Sequence, residues 1–184
     1  MSFKKTLCCL ALSTVCITAN ASTASGYLSD DSAQFRLGLS LDPFVFEGGA
    51  VYSSDGGQSA FGGVLIESKA EPIEIGLGVR ARVVDAELEE GDDSGYSVGF
   101  GGYYRFIFPL ANRFSIYLSA YYYPELLSYE NVLRQHETHA RLEYFATENI
   151  SVYLGYGLNA IDYKNREDTV RLNENVNIGF AAYF

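Results

Sequence analysis

The sequence predicts an all-β fold: a small antiparallel transmembrane β-barrel of about ten strands, with eight as the alternative. Three observations carry that prediction. Val176, Ile178, Phe180, Ala182 and the terminal Phe184 alternate strictly with Asn177, Gly179, Ala181 and Tyr183, and a period of two running to an aromatic last residue is how such barrels end. Nine segments between residue 22 and the C-terminus show the same alternation. Fifteen tyrosines and eighteen glycines, with no tryptophan, supply strand formers and small residues where strands bend.

Residues 1–21 read as a secretory signal. Lys4 and Lys5 form a charged start, Leu7 to Ile17 an apolar run, and Ala19-Asn20-Ala21 a small-x-small cleavage site. The apolar run falls short of the roughly twenty residues a spanning helix needs. Cys8, Cys9 and Cys16 all lie in this segment, so residues 22–184, the expected barrel domain, have neither disulfide nor thiolate metal site. Cys16 as a lipid-acylation site is disfavoured by Val15 beside it. Removing Lys4 and Lys5 from 13 basic residues leaves 11 against 23 acidic ones, a net charge of −12. That balance argues against nucleic acid as a partner.

Along the chain, Phe35, Leu37, Leu39 and Leu41 oppose Arg36, Gly38 and Ser40. In Phe44 to Tyr52, Glu47 sets the register, because a carboxylate facing lipid is costly. Ala60 to Ile66 is weaker, with both faces apolar or glycine. The clearest segment sets Ile73, Ile75, Leu77, Val79, Ala81 and Val83 against Glu74, Gly76, Gly78, Arg80 and Arg82. Tyr96, Val98, Phe100, Tyr104, Phe106 and Phe108 oppose Ser97, Gly99, Gly101, Tyr103 and Arg105, with aromatics near both ends as in interfacial girdles. Phe114 to Tyr123 and Ile150 to Asn159 continue the pattern. Glu137, His139, Arg141 and Glu143 against Thr138, Ala140, Leu142 and Tyr144 is the most polar segment.

The connections alternate in character. Asp42-Pro43, Glu71-Pro72, Pro109 to Arg113 and Thr147 to Asn149 are tight and mostly carry proline, and are expected as periplasmic turns. Polar stretches at Ser53 to Ser59, Asp85 to Gly95, Glu125 to Arg134 and Lys164 to Arg171 are expected as exterior loops. An even strand count with both termini in the periplasm then requires a short first strand near Gly26 to Ser29, turning at Asp30-Asp31.

Two stretches carry a resemblance. Tyr121-Tyr122-Tyr123-Pro124-Glu125 followed by Leu127-Ser128, and the closing Gly179-Phe180-Ala181-Ala182-Tyr183-Phe184, make the chain similar to the YfaZ family of Gram-negative outer-membrane proteins. The likeness covers the whole mature chain. It implies a small, porin-like outer-membrane barrel and carries over no catalytic residue. Compared with the family's glycine-rich pattern, this sequence places more charge on inward faces, which opposes an open pore.

The candidate site is the inward charge set of Arg36, Glu47, Glu67, Glu74, Arg80, Arg82, Arg105, Glu137, His139, Arg141 and Glu143. Paired in a narrow lumen, these groups satisfy one another and hold register; lining an open path, they would tune ion selectivity. His136 and His139 lie three apart on a strand and point to opposite faces, so they do not chelate one ion, and no metal or cofactor is expected. A serine, His139 and Glu143 would superficially resemble a lipid hydrolase set, but no serine shares the strand and face, and no catalytic residue is assigned. The acidic run Asp85 to Gly95 could bridge divalent ions to lipopolysaccharide phosphates. Asn177, Gly179, Ala182 and Phe184 match the assembly signal of outer-membrane barrels.

The expected protein is therefore a monomer in the bacterial outer membrane, touching its lipids and lipopolysaccharide and the barrel-assembly machinery, with a structural or minor porin-like role. A soluble lipocalin-like binder is the rival from another class. It requires the apolar faces to point inward.

Overall fold

A computed structural model describes residues 22–54, 57–88, 91–164 and 169–184. The expected signal segment, with its cysteines and cleavage site, lies outside the described residues. The strands are β1 (Ser22–Leu28), β2 (Ser32–Leu41), β3 (Phe44–Ser53), β4 (Gly57–Ala70), β5 (Ile73–Leu88), β6 (Gly91–Ile107), β7 (Phe114–Tyr123), β8 (Ser128–Glu130), β9 (Val132–Phe145), β10 (Ile150–Tyr163) and β11 (Val170–Tyr183). Among the described residues a single 3-10 turn covers Glu125–Leu127.

Ten strands pair antiparallel in the cyclic order β1-β2-β3-β4-β5-β6-β7-β9-β10-β11, and β1 on β11 completes the ring. Closure removes every edge that would leave backbone groups unpaired in hydrocarbon. The three-residue β8 lies outside this count, adding to one end of β6. The first strand expected from Gly26 to Ser29 is present as β1, which settles the count at ten.

Alternation in the sequence becomes alternation in exposure. Leu77, Val79, Phe100, Leu118, Leu154, Ile178 and Phe180 all stand exposed on the outer wall, while Arg80, Arg82, Glu137, Arg141 and Glu143 are buried inside. An outer wall of this composition is suited to hydrocarbon rather than water. The lipocalin-like arrangement needs the opposite assignment of faces. No helix is long and apolar enough to cross a membrane among the described residues.

Short turns at Asp42-Pro43, Glu71-Pro72, 108–113 and 146–149 gather at one end, together with Ser22 and Tyr183. The other end, the crown, differs from expectation. Among the described residues, three of the four stretches expected as loops are largely strand: β3 runs to Ser53, β4 starts at Gly57, the β5–β6 ladder continues through Glu87↔Asp92 to Leu88↔Gly91, and β8 and β9 take up most of 125–134, while 165–168 of the fourth lie outside the described residues. Beyond hydrocarbon the outward residues need not be apolar, yet extending the ladder still pairs the backbone groups. Polarity marks the edge of the apolar band and not the end of a strand. The wall is uneven as a result, because β1 joins β11 through six residue pairs and β5 joins β6 through sixteen.

Candidate functional site

Inward positions fill the lumen in layers, which follow from the period of two acting on ten strands at once. At the crown end Val84, Val132, Ile161 and Tyr163 form an apolar cap, each no more than 1% exposed. Below it Arg82 meets the side-chain amides of β9 and β10. With both amide oxygens turned toward the guanidinium, Asn159 accepts from Nη2 at 2.7 Å and Gln135 from Nε at 3.3 Å, an orientation assigned by the hydrogen-bond network. Arg82 Nη2 also donates to Ser59 Oγ at 2.8 Å.

The central layer is ionic. Arg80 Nη1 donates to both oxygens of Glu137 at 2.9 Å, and its Nη2 and Nε reach Glu47 Oε1 at 2.6 and 2.9 Å. Arg82 Nη1 donates to Glu137 Oε2 at 2.7 Å. The Arg80 guanidinium also lies over the Tyr121 ring, 3.6 Å from its centroid, and Tyr121 donates to Glu47 at 3.0 Å. Forked, charge-assisted bonds of this kind are the strongest available to side chains. They bridge β3, β5 and β9 across the interior, where no ladder connects those strands.

A second ionic layer lies nearer the short turns. Glu143, fully buried, accepts from Ser115 Oγ at 2.7 Å and contacts Arg141 Nε at 2.6 Å and Arg105 Nε at 3.2 Å. Arg105 continues to Glu74 at 2.9 Å and to the Tyr183 hydroxyl at 2.5 Å. Glu67 accepts from Tyr103 and pairs with Lys69 at 2.7 Å. Arg36 is the least compensated base: its Nη1 donates to Tyr117 at 3.3 Å, and Glu137 is 3.9 Å away.

The ten inward charges expected from sequence, Glu67 among them, thus face the lumen, and the five arginines of that set each reach a carboxylate. His139 faces inward and His136 outward, as their spacing requires. His139 Nε2 lies 3.3 Å from Asn177 Oδ1, while Ser115 is bonded to Glu143. The register does set Ser119 opposite His139, a cross-strand neighbour the one-strand reading missed. No group of three or more His, Cys, Asp or Glu suited to a metal occurs among the described residues. In the acidic run, residues 89–90 and the side chains of 86–93 lie outside the described residues; Asp85 accepts from Gln58 at 3.2 Å.

Sequence reading also missed the tyrosines as members of the site. Their signal was parity: Tyr117, Tyr121 and Tyr123 share the inward face of β7. Glycines make room for such rings. A Cβ on Gly179 would collide with the Tyr153 ring, and one on Gly76 with that of Tyr103. Tyr153, seated against Gly179, donates to the Gly26 carbonyl at 3.1 Å and so ties β10 to β1 across β11.

Among solved structures, the chain is similar to the outer membrane channel DcaP of Acinetobacter baumannii, with a TM-score of 0.46 and 8% identity over 87% of this chain and 54% of that one. It is also similar to Neisserial surface protein A (NspA), with a TM-score of 0.38 and 13% identity over 89% of this chain and 94% of that one. The chain spans about half the length of the DcaP channel. No curated protein matches it. Residues 1–184, the whole sequence with its patterned C-terminal strand, match the family described as YfaZ precursor. The chain belongs to the YfaZ family.

Proposed function

We propose that this protein resides in the bacterial outer membrane as a closed, monomeric barrel whose role is structural rather than conductive. The carrying observation is the Arg80–Glu137 bridge at mid-lumen, with the apolar cap of Val84, Val132, Ile161 and Tyr163 above it. A continuous water path needs the bridge and the cap to part together. The apolar outer wall supports membrane residence, and the short turns and both termini face the periplasm on this reading. The crown meets the exterior and the lipopolysaccharide layer.

Fractionation followed by heat-modifiability on a denaturing gel tests residence: a membrane-bound band whose mobility changes on boiling is expected, and recovery in the soluble periplasm overturns the reading. Planar bilayers test closure. No steady current is expected from the wild type, whereas large, stable single-channel currents would make the protein a porin.

A further inference from the structure

Toward the crown the lumen carries the apolar cap of Val84, Val132, Ile161 and Tyr163, and at the short-turn end it opens into a vestibule of about 160 Å³. Taking ~30 Å³ per liquid water, that is room for roughly five waters, or one small ion and part of its shell. Arg36, Arg105 and Arg141 line it with Tyr103, Tyr117 and Tyr183, and so do Glu67 and Glu74.

Their charges are unequally matched. Arg105 is held by Glu74 and Glu143, and Glu47, although it lines the space, is bound to Arg80. Arg141 reaches a carboxylate through Nε, at Glu143, and lies over the Tyr117 ring 4.0 Å from its centroid. Arg36 donates to that same tyrosine's hydroxyl, its Nε has no hydrogen-bond partner, and its carboxylate neighbour is 3.9 Å away. Two guanidiniums thus bracket Tyr117 with hydrogen-bonding capacity left over, beside a small polar cavity.

We propose that this vestibule binds a small free oxyanion, a phosphate or a carboxylate, entering from the short-turn end and held by Arg36 and Arg141. Guanidiniums match such planar or tetrahedral oxygen sets through paired hydrogen bonds. The distribution of charge fixes the side of entry. Among the described residues the crown segments 30–31, 85–93, 125–134 and 162–174 hold ten acidic residues against three basic ones, whereas the short-turn end holds Asp42, Glu67, Glu71 and Glu148 against Lys69 and Arg113. An anion is repelled more strongly from the crown than from the other end, where the acidic excess is smaller. The site goes beyond the structural role, and binding is read in detergent, apart from conductance.

The experiment titrates the full-length mature protein in micelles with inorganic phosphate and, separately, with acetate, by calorimetry at constant ionic strength. Saturable binding of either probe is expected, and the tighter one identifies the class. Arg36→Gln should weaken it at least tenfold, and Arg113→Gln, on the exposed turn, should leave it unchanged. Absence of saturation with both probes, or equal binding by the Arg36→Gln barrel, overturns the proposal. If that variant gives no heat-modifiable barrel, the wild type decides: a melting temperature that rises saturably with phosphate or acetate but not with equal chloride supports the site, and an identical response to chloride overturns it.

Discussion

Arg80 and Glu137 meet through two 2.9 Å hydrogen bonds although their strands, β5 and β9, are separated in the wall by β6 and β7. The same carboxylate accepts from Arg82 at 2.7 Å, so one glutamate neutralises two arginines that are each 1% exposed. Removing it leaves Arg82 buried without its carboxylate, while Arg80 keeps only Glu47.

Breaking the lumen network from one side should therefore destabilise the barrel strongly. Glu143→Ala leaves Arg105 and Arg141 facing each other, and Arg82→Ala removes a partner of Glu137; each should cost about 3–5 kcal/mol, the range for buried pairs broken from one side. Denaturant midpoints in detergent micelles check this. In bilayers the same variants should conduct more than the wild type, since each removes part of the obstruction.

Charge on the outer wall should act differently. Leu77 is 66% exposed on the apolar band, and Leu77→Arg should cost about 2–4 kcal/mol in a bilayer, the range for arginine near mid-membrane. Reversible folding into lipid vesicles measures it. A cost near zero would put Leu77 outside the hydrocarbon.

Gly179 predicts a steric effect. Gly179→Val drives a branched side chain into the Tyr153 ring, and overpacking of this kind costs about 1–3 kcal/mol. The double variant with Tyr153→Ala should recover part of the loss, because it empties the same space. A double-mutant cycle on unfolding free energies reads the coupling.

Phe184 lies outside the network and is 68% exposed beyond the end of β11. Its deletion should leave lumen contacts intact yet lower the amount of assembled protein, if the terminal aromatic is what the assembly machinery reads. Quantifying the heat-modifiable band in membranes separates this from a stability loss. Normal levels of the truncated barrel would assign the closing motif a packing role instead, one already visible in Asn177 beside His139 and in Gly179 beside Tyr153.

The ring of ten strands and the inward parity of each charge were legible because every strand repeats one rule, apolar outward and polar inward. Which charges pair was not. Arg36 on β2 and Tyr117 on β7 lie 81 residues apart in sequence and on opposite sides of the ring, and parity carries no information about partners across a lumen. The apolar cap escaped for a different reason. Val84, Val132 and Ile161 stand where strands continue past the apolar band, so the inward face there turns apolar just as the outward face turns polar.

Register in this barrel is specified by two mechanisms of different reach. A slip of one residue between neighbouring strands turns Arg80 or Glu137 outward and Leu77 inward, and the outer wall alone forbids it. A slip of two keeps every face correct, and no hydropathy pattern detects it. Only the fixed positions inside do: the fork of Arg80 would miss Glu137, and the ring of Tyr153 would lose the notch at Gly179 and meet a side chain. The buried charges thus act as an alignment key, rejecting the mispaired cylinders that hydrophobicity would accept.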